Sequence, residues 1–142
     1  NETDKSNFFE YIKDNDISSM IEYKGIVSGN DKNELLKNND YFMLLTRYKN
    51  EGQPISIIEA AANGLRVITT NHAGIKDILN SSEMIMVDKN KISIKEIYDV
   101  LNSEYYSRSK MINLLKENMI KIINDFSEKK YLERLALIFN NT

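Results

Sequence analysis

The chain has 142 residues, near the commonest size of one domain, so a single globular body with its own core is the starting expectation. Hydrophobic residues make up 42%, charged residues 28%, and 19 Lys+Arg against 21 Asp+Glu leave a net charge of −2; nucleic acid is disfavoured as a partner, since bulk-charge binding needs a clustered basic surface. Cysteine is absent and His72 is the single histidine, which excludes disulfides, thiolate or imidazole-rich zinc sites, cysteine nucleophiles and any mechanism needing two histidines from this chain.

Taken in order, the segment around Phe8 to Ile12 reads as a short amphipathic helix, and Met20 to Lys24 as a strand ending at Gly25. Turn-forming Ser28-Gly29-Asn30-Asp31 precedes a helical stretch, Lys32 to Lys37, for which Asp31 is the expected cap. Tyr41 to Thr46 is a nearly continuous apolar run of strand length, as expected of a strand buried on both faces. A polar loop, Arg47 to Gly52, leads into a helix expected to start at Pro54, because proline suits the first helical position, and to stop at Asn63-Gly64. Arg66 to Thr70 is the next strand, Asn71 to Gly74 a tight loop, Ile75 to Leu79 a short helix, and Met84 to Val87 a fourth strand. From Ser93 onward the pattern is helical, broken near Glu104 and at Phe126-Ser127. Strands alternating with helices, several of them apolar on both faces, imply βαβ units: an α/β fold with a parallel sheet and helices on both sides.

Ligands of such sheets bind beyond the carboxyl ends of the strands, which directs attention to the loops 25–31, 47–53 and 71–74. In the second of these, Glu51 precedes the helix and Glu59 lies within it, so two carboxylates bracket a helix amino terminus whose free N–H groups near Gln53, Ile55 and Ser56 favour a phosphate. Gly52 lets a ligand approach the backbone closely. Glu59 shares a stripe with Ser56 and Asn63, while Ile55, Ile58, Ala61, Ala62 and Leu65 form the apolar face. Two readings of Glu59 stand at this point: a solvated polar stripe, or an acceptor for a sugar diol. His72 is either a general base or a solvated loop side chain, and Arg47 and Lys49 are either cations for a phosphate or solvated charges. The face Met111, Leu114, Leu115, Met119, Ile122 and Ile123 suits packing on the sheet, with peripheral contact to a membrane surface as the alternative.

The run from Tyr41 through Glu51-Gly52-Gln53-Pro54-Ile55-Ser56-Ile57-Ile58-Glu59-Ala60 to Asn63-Gly64 resembles the donor-binding signature of glycosyltransferase family 4, whose two glutamates are separated by seven residues as Glu51 and Glu59 are. Tyr23-Lys24-Gly25-Ile26-Val27 resembles the family's strand-Gly-Val before the base-binding loop, Val67 to Ile75 its strand and glycine loop, and Phe126-Ser127 with Tyr131 its carboxyl-terminal helix pair. The matches run from about Glu22 to Phe139. The resemblance implies a GT-B fold, with two Rossmann-like domains facing a cleft, and transfer of a hexose from a nucleotide-activated sugar with retention of configuration, without a cofactor or an obligatory metal.

By position, Glu59 would bind the ribose hydroxyls, and Glu51 would contact the donor sugar as the catalytic-site residue. Gln53, Pro54 and Ile55 would lie along sugar and phosphate beside Gly52, while Gly25, Ile26 and Val27 would border the base of a UDP- or GDP-linked donor. The family's phosphate-neutralising Arg and Lys have no counterpart here, Ala73 stands where the first glycine of a pair is commoner, and Asp77 stands where Glu is usual. The resemblance thus reads residues 1–142 as one donor-binding Rossmann-like domain, cut on its N-terminal side, with helices of 104–142 packing on it. The expected acceptor is a glycan or lipid-linked molecule held by a missing N-terminal domain, in bacterial surface polysaccharide or glycoconjugate synthesis. The chain alone is expected to be inactive. With no apolar run near the ~18 residues that span a bilayer and no signal-peptide core, the expected location is the cytoplasm, with the inner face of the membrane as the narrower alternative. A non-catalytic nucleotide- or phosphate-binding module, and a purely structural domain, are the competing readings.

Overall fold

The structure, a computed structural model, describes residues 2–79 and 82–140. The chain divides into two compact units, residues 1–32 and 33–142.

The first unit is built on α1 (Glu2–Asp14). Phe8 and Phe9 of this helix meet edge-on at 5.4 Å, and Phe9 packs edge-on against Tyr23 at 5.3 Å, with the Lys5 ammonium 5.7 Å from the Tyr23 ring. Such ring contacts stabilise beyond their area. A 3-10 turn, Ser18–Met20, follows α1, so the strand expected over Met20 to Lys24 is not formed. Met20 is taken by the turn, and among the described residues no strand pairs with 21–25. Extended residues become a strand only when a neighbour supplies the ladder. The helix α2 (Gly29–Lys37) begins ahead of Asp31, which lies in its first turn instead of capping it.

The second unit is a parallel sheet of β1 (Tyr41–Leu44), β2 (Arg66–Thr70) and β3 (Ile85–Val87) in the order β1-β2-β3. Met43 pairs with Ile68, and Ile68 with Ile85. Every residue of β2 is buried. One face of the sheet meets α3 (Ile55–Ala62), α5 (Arg108–Asp125) and Leu36 of α2, with Ile57, Ala60, Ala61, Val67 and Ile122 in that core. On the opposite face Ile68, Ile85 and Val87 meet Ile97 of α4 (Ile94–Tyr106). Helices on both faces with an all-parallel sheet make this a Rossmann-like α/β fold, as the alternation of patterns predicts. The last helix is α6 (Glu128–Asn140).

Several boundaries shift for identifiable reasons. Pro54 (φ −59°, ψ 118°) is the residue before α3, not its first helical residue, and its carbonyl accepts the N–H groups of Ile57 and Ile58. The helix expected over Ile75 to Leu79 is a 3-10 turn, Ala73–Asp77, which still buries Ile75. The break expected near Glu104 falls at Ser107. The apolar face of α3 is also rotated from expectation: Ile57 is buried, while Ile55 is 71% exposed. On α5, Ile123 is exposed and Asn118 takes a buried place, its Nδ2 donating to the Glu83 carbonyl at 2.9 Å. With Ile122 in the core, α5 packs on α3.

At the amino end of β2, buried Arg66 donates from Nε and Nη2 to Glu104 Oε1 at 3.0 and 2.7 Å, and from Nη1 to the Glu83 carbonyl. Lys121 closes the cluster on the Glu83 carboxylate at 2.9 Å. Removing one member of a buried pair strands the other's charge. Arg66→Met is therefore expected to lower unfolding free energy by ~3 kcal/mol, with Arg66→Met/Glu104→Leu recovering most of it, as read by urea denaturation. A double variant no more stable than the single one would show that packing, not the stranded carboxylate, sets the cost.

Candidate functional site

The carboxyl ends of the three parallel strands bring three loops together. Thr46, just past β1, has a half-buried hydroxyl that donates to Glu51 Oε2 at 3.0 Å and accepts the Tyr48 N–H at 3.2 Å. The Tyr48 carbonyl in turn accepts the Glu51 N–H at 3.2 Å. The loop 46–51 thus closes on itself, and the Glu51 carboxylate is tied to the residue just past the strand. The Thr46 carbonyl also accepts the Thr70 hydroxyl at 2.6 Å, and the Leu44 carbonyl accepts the Thr69 hydroxyl at 2.8 Å. These fully buried threonines of β2 satisfy their hydroxyls on the last residue of β1 and on the loop just past it.

After β2, His72 approaches the same loop, with Nε2 2.6 Å from the Tyr48 carbonyl. After β3, Lys89 brings its ammonium 2.9 Å from His72 Nδ1. The histidine expected to be either a base or a solvated side chain is thus a half-buried link between loops. Lys89 escaped the sequence reading. Its one signal is its place two residues past Val87, at the end of a strand where loops gather. Arg47 and Lys49, the cations that reading named, are both exposed.

Glycine is required at one point here. A Cβ on Gly74 would stand 3.1 Å from the Gly52 carbonyl oxygen, tighter than ordinary contact. The two backbones are therefore in near contact, which sets the distance between the loops after β1 and β2. Ala73 beside it adopts φ +48°, a left-handed conformation that costs a non-glycine residue about 1 kcal/mol.

Of the residues singled out in sequence, Glu51, Gly52, Gln53, Pro54, Ile55 and Glu59 all lie in the second unit, on the loop and helix that follow β1. Pro54 is buried, Glu51 and Glu59 are half-buried, and Gly52, Gln53 and Ile55 are exposed. No side chain caps the amino terminus of α3, so its first N–H groups keep the capacity to receive an anion. Gly25 (φ +66°), Ile26 and Val27 belong to the first unit, where Ile26 is fully exposed and Val27 half-buried. Among the described residues no group of three or more His, Asp or Glu side chains could hold a metal ion, and no helix is long and apolar enough to cross a membrane.

In parallel α/β sheets ligands bind beyond the carboxyl ends of the strands, and this is the edge where the anchored carboxylate and the uncapped helix terminus lie. The family model for glycosyl transferases, group 1, matches residues 1–122, and the chain belongs to that family. Glycosyl transfer, with the binding of a sugar donor and an acceptor, is the general chemistry that membership brings. A search of the curated proteins finds no match.

The Gly74 contact generates a test of the loop arrangement. Gly74→Ala must push the Gly52 carbonyl by a few tenths of an ångström, and overpacking of this kind costs about 1 kcal/mol. The expected signature is a lowered melting temperature with amide shifts concentrated at residues 51–53; a spectrum unchanged there would show that the loops are not in contact.

Proposed function

We propose that this chain is the donor-binding part of a retaining glycosyltransferase of the GT-B, family 4 type, holding a nucleoside diphosphate sugar at the carboxyl edge of its sheet. The observation that carries the proposal is the sequence of groups along one short path: Glu51 fixed by Thr46 at the end of β1, the uncapped amino terminus of α3 directly after it, and Glu59 one turn into that helix. A diphosphate seated on the helix terminus would be stabilised by the backbone N–H groups there and by the helix dipole. Glu59 is then the acceptor for the ribose hydroxyls, and Glu51 the contact of the donor sugar. Gln53 and Ile55 supply backbone N–H groups. Pro54 has none to give and stiffens the approach. Gly52 leaves room for the donor, whose base is uracil or guanine.

In this reading the domain spans residues 1–142, with the helices of 104–142 as part of it, and belongs to a longer enzyme whose other domain brings a glycan or lipid-linked acceptor on the cytoplasmic side of the membrane. Bacterial surface polysaccharide or glycoconjugate assembly is the setting that suits such an enzyme. The rate would come from positioning the donor and stabilising the departing diphosphate, with no cofactor and no metal.

Calorimetric titration with a panel of nucleoside diphosphates and their hexose conjugates tests this. One base should bind saturably, and Glu59→Ala should weaken it about 10- to 100-fold, the value of hydrogen bonds to a charged group. Binding of unrelated nucleotides with equal strength and no dependence on Glu59 would favour a non-catalytic phosphate-binding module. Absence of binding at ~10 mM, weaker than any useful donor site, in a chain extended toward the amino terminus as well, would overturn the proposal.

A further inference from the structure

We infer that His72 is a positioning residue for Glu51, held as the neutral Nε2–H tautomer by Lys89 on one side and the Tyr48 carbonyl on the other. The inference rests on the reading of Glu51 as the donor-sugar contact. The chemistry of the two neighbours leaves one state for the ring. A carbonyl oxygen only accepts, so the nitrogen 2.6 Å from the Tyr48 carbonyl, Nε2, carries a proton. An ammonium only donates, so the nitrogen 2.9 Å from Lys89 Nζ, Nδ1, carries none. These partners come from different elements, the loop after β1 and the residues after β3, and they specify the same tautomer.

The effect on Glu51 runs through Tyr48. The Tyr48 carbonyl receives both the His72 Nε2–H and the Glu51 N–H, and the Tyr48 N–H holds the Thr46 hydroxyl that donates to Glu51 Oε2. The N–H and the carbonyl of Tyr48 thus fix the carboxylate and the backbone of Glu51 respectively. His72 fastens the Tyr48 carbonyl to the end of β2, and Lys89 fastens His72 to the end of β3. The three strand ends are joined by one line of hydrogen bonds whose free end is the sugar-facing carboxylate. His72 touches neither substrate nor reacting atoms in this arrangement. Its contribution is orientation, which matters because a displacement of about 1 Å in a positioning group can cost about 100-fold in rate.

Nitrogen-detected NMR of the histidine ring at about pH 8, where a free imidazole is neutral and exchanges between tautomers, reads the first part directly in the unliganded protein. The expected result is a single protonated nitrogen, Nε2, with Lys89→Met restoring tautomer mixing. A ring protonated at Nδ1, or one averaging freely in the unaltered protein, overturns the inference. The second part is read by titrating a nucleoside diphosphate and its hexose conjugate. His72→Ala should weaken the conjugate about fivefold and the bare diphosphate by less than about twofold, the difference being one hydrogen bond's worth of sugar contact. His72→Gln, whose amide N–H reaches the Tyr48 carbonyl, should restore most of the affinity and controls for misfolding. If Glu51→Gln weakens the conjugate and His72→Ala does not, the positioning role fails while the Glu51 reading stands. If Glu51→Gln leaves the conjugate unaffected, the donor-sugar reading fails. The positioning role is then decided by whether His72→Ala moves the Glu51 and Gly52 amide resonances.

Discussion

The burial of β2 on both faces is the constraint from which the rest of the second unit follows. All five residues of this strand are buried, and it is hydrogen-bonded on both edges to parallel neighbours. A parallel neighbour cannot be reached by a tight turn, so the chain must cross over the sheet between strands. Those crossovers, α3 and the 3-10 turn, cover one face, and α4 covers the other. Every loop that leaves a strand therefore leaves from the same edge. Thr46, His72 and Lys89 are far apart in sequence, yet they meet because each follows a strand of one parallel sheet.

The two edges of the sheet are built differently. At the amino edge, Arg66, Glu104, Glu83, Asn118 and Lys121 form a polar cluster that ties α4 and α5 to the strands, with the Glu83 carbonyl accepting from both Arg66 and Asn118. Charges buried like those of Arg66 and Glu104 stay only when paired, so this edge is occupied with holding helices in place. At the carboxyl edge the hydrogen bonds run among loops. They fix one carboxylate, Glu51, and leave the terminus of α3 without a side-chain cap. An uncapped terminus is a small cost to stability that becomes an attraction when an anion arrives.

Close backbone approach is the remaining ingredient. Gly74 lies against the Gly52 carbonyl, and Ala73 is held in a left-handed conformation beside it. Strain of that kind persists only where surrounding structure over-determines it. Here the surroundings are the buried Ile75 in the following turn and the His72 bond to the Tyr48 carbonyl just before it.

Much of this was legible in the sequence, and the parts that were not have a common physical origin. The alternation of apolar runs with helical patterns determined the parallel α/β fold, because a strand covered on both faces must be apolar on both. The spacing of Glu51 and Glu59 directed attention to a strand-to-helix junction, and both residues do lie on the loop and helix that follow β1, at the carboxyl edge where loops and helix amino termini collect. Tertiary structure decided the rest. Ile55, Ile57 and Ile58 are all apolar, so only the position of the sheet and α5 selects Ile57 for burial and leaves Ile55 outside. Met20 to Lys24 has strand composition but finds no ladder, since pairing is a property of two segments and not of one. Nothing in the sequence marks Arg66 or Asn118 for burial, because the partners that permit it, Glu104 and the Glu83 carbonyl, are distant in sequence. His72 read alone left base or solvated loop residue as its alternatives. Its tautomer and its link to Glu51 exist only because three strand ends are brought to one edge, and hydrogen bonds between residues 17 and 24 positions apart leave no periodicity for a sequence to display.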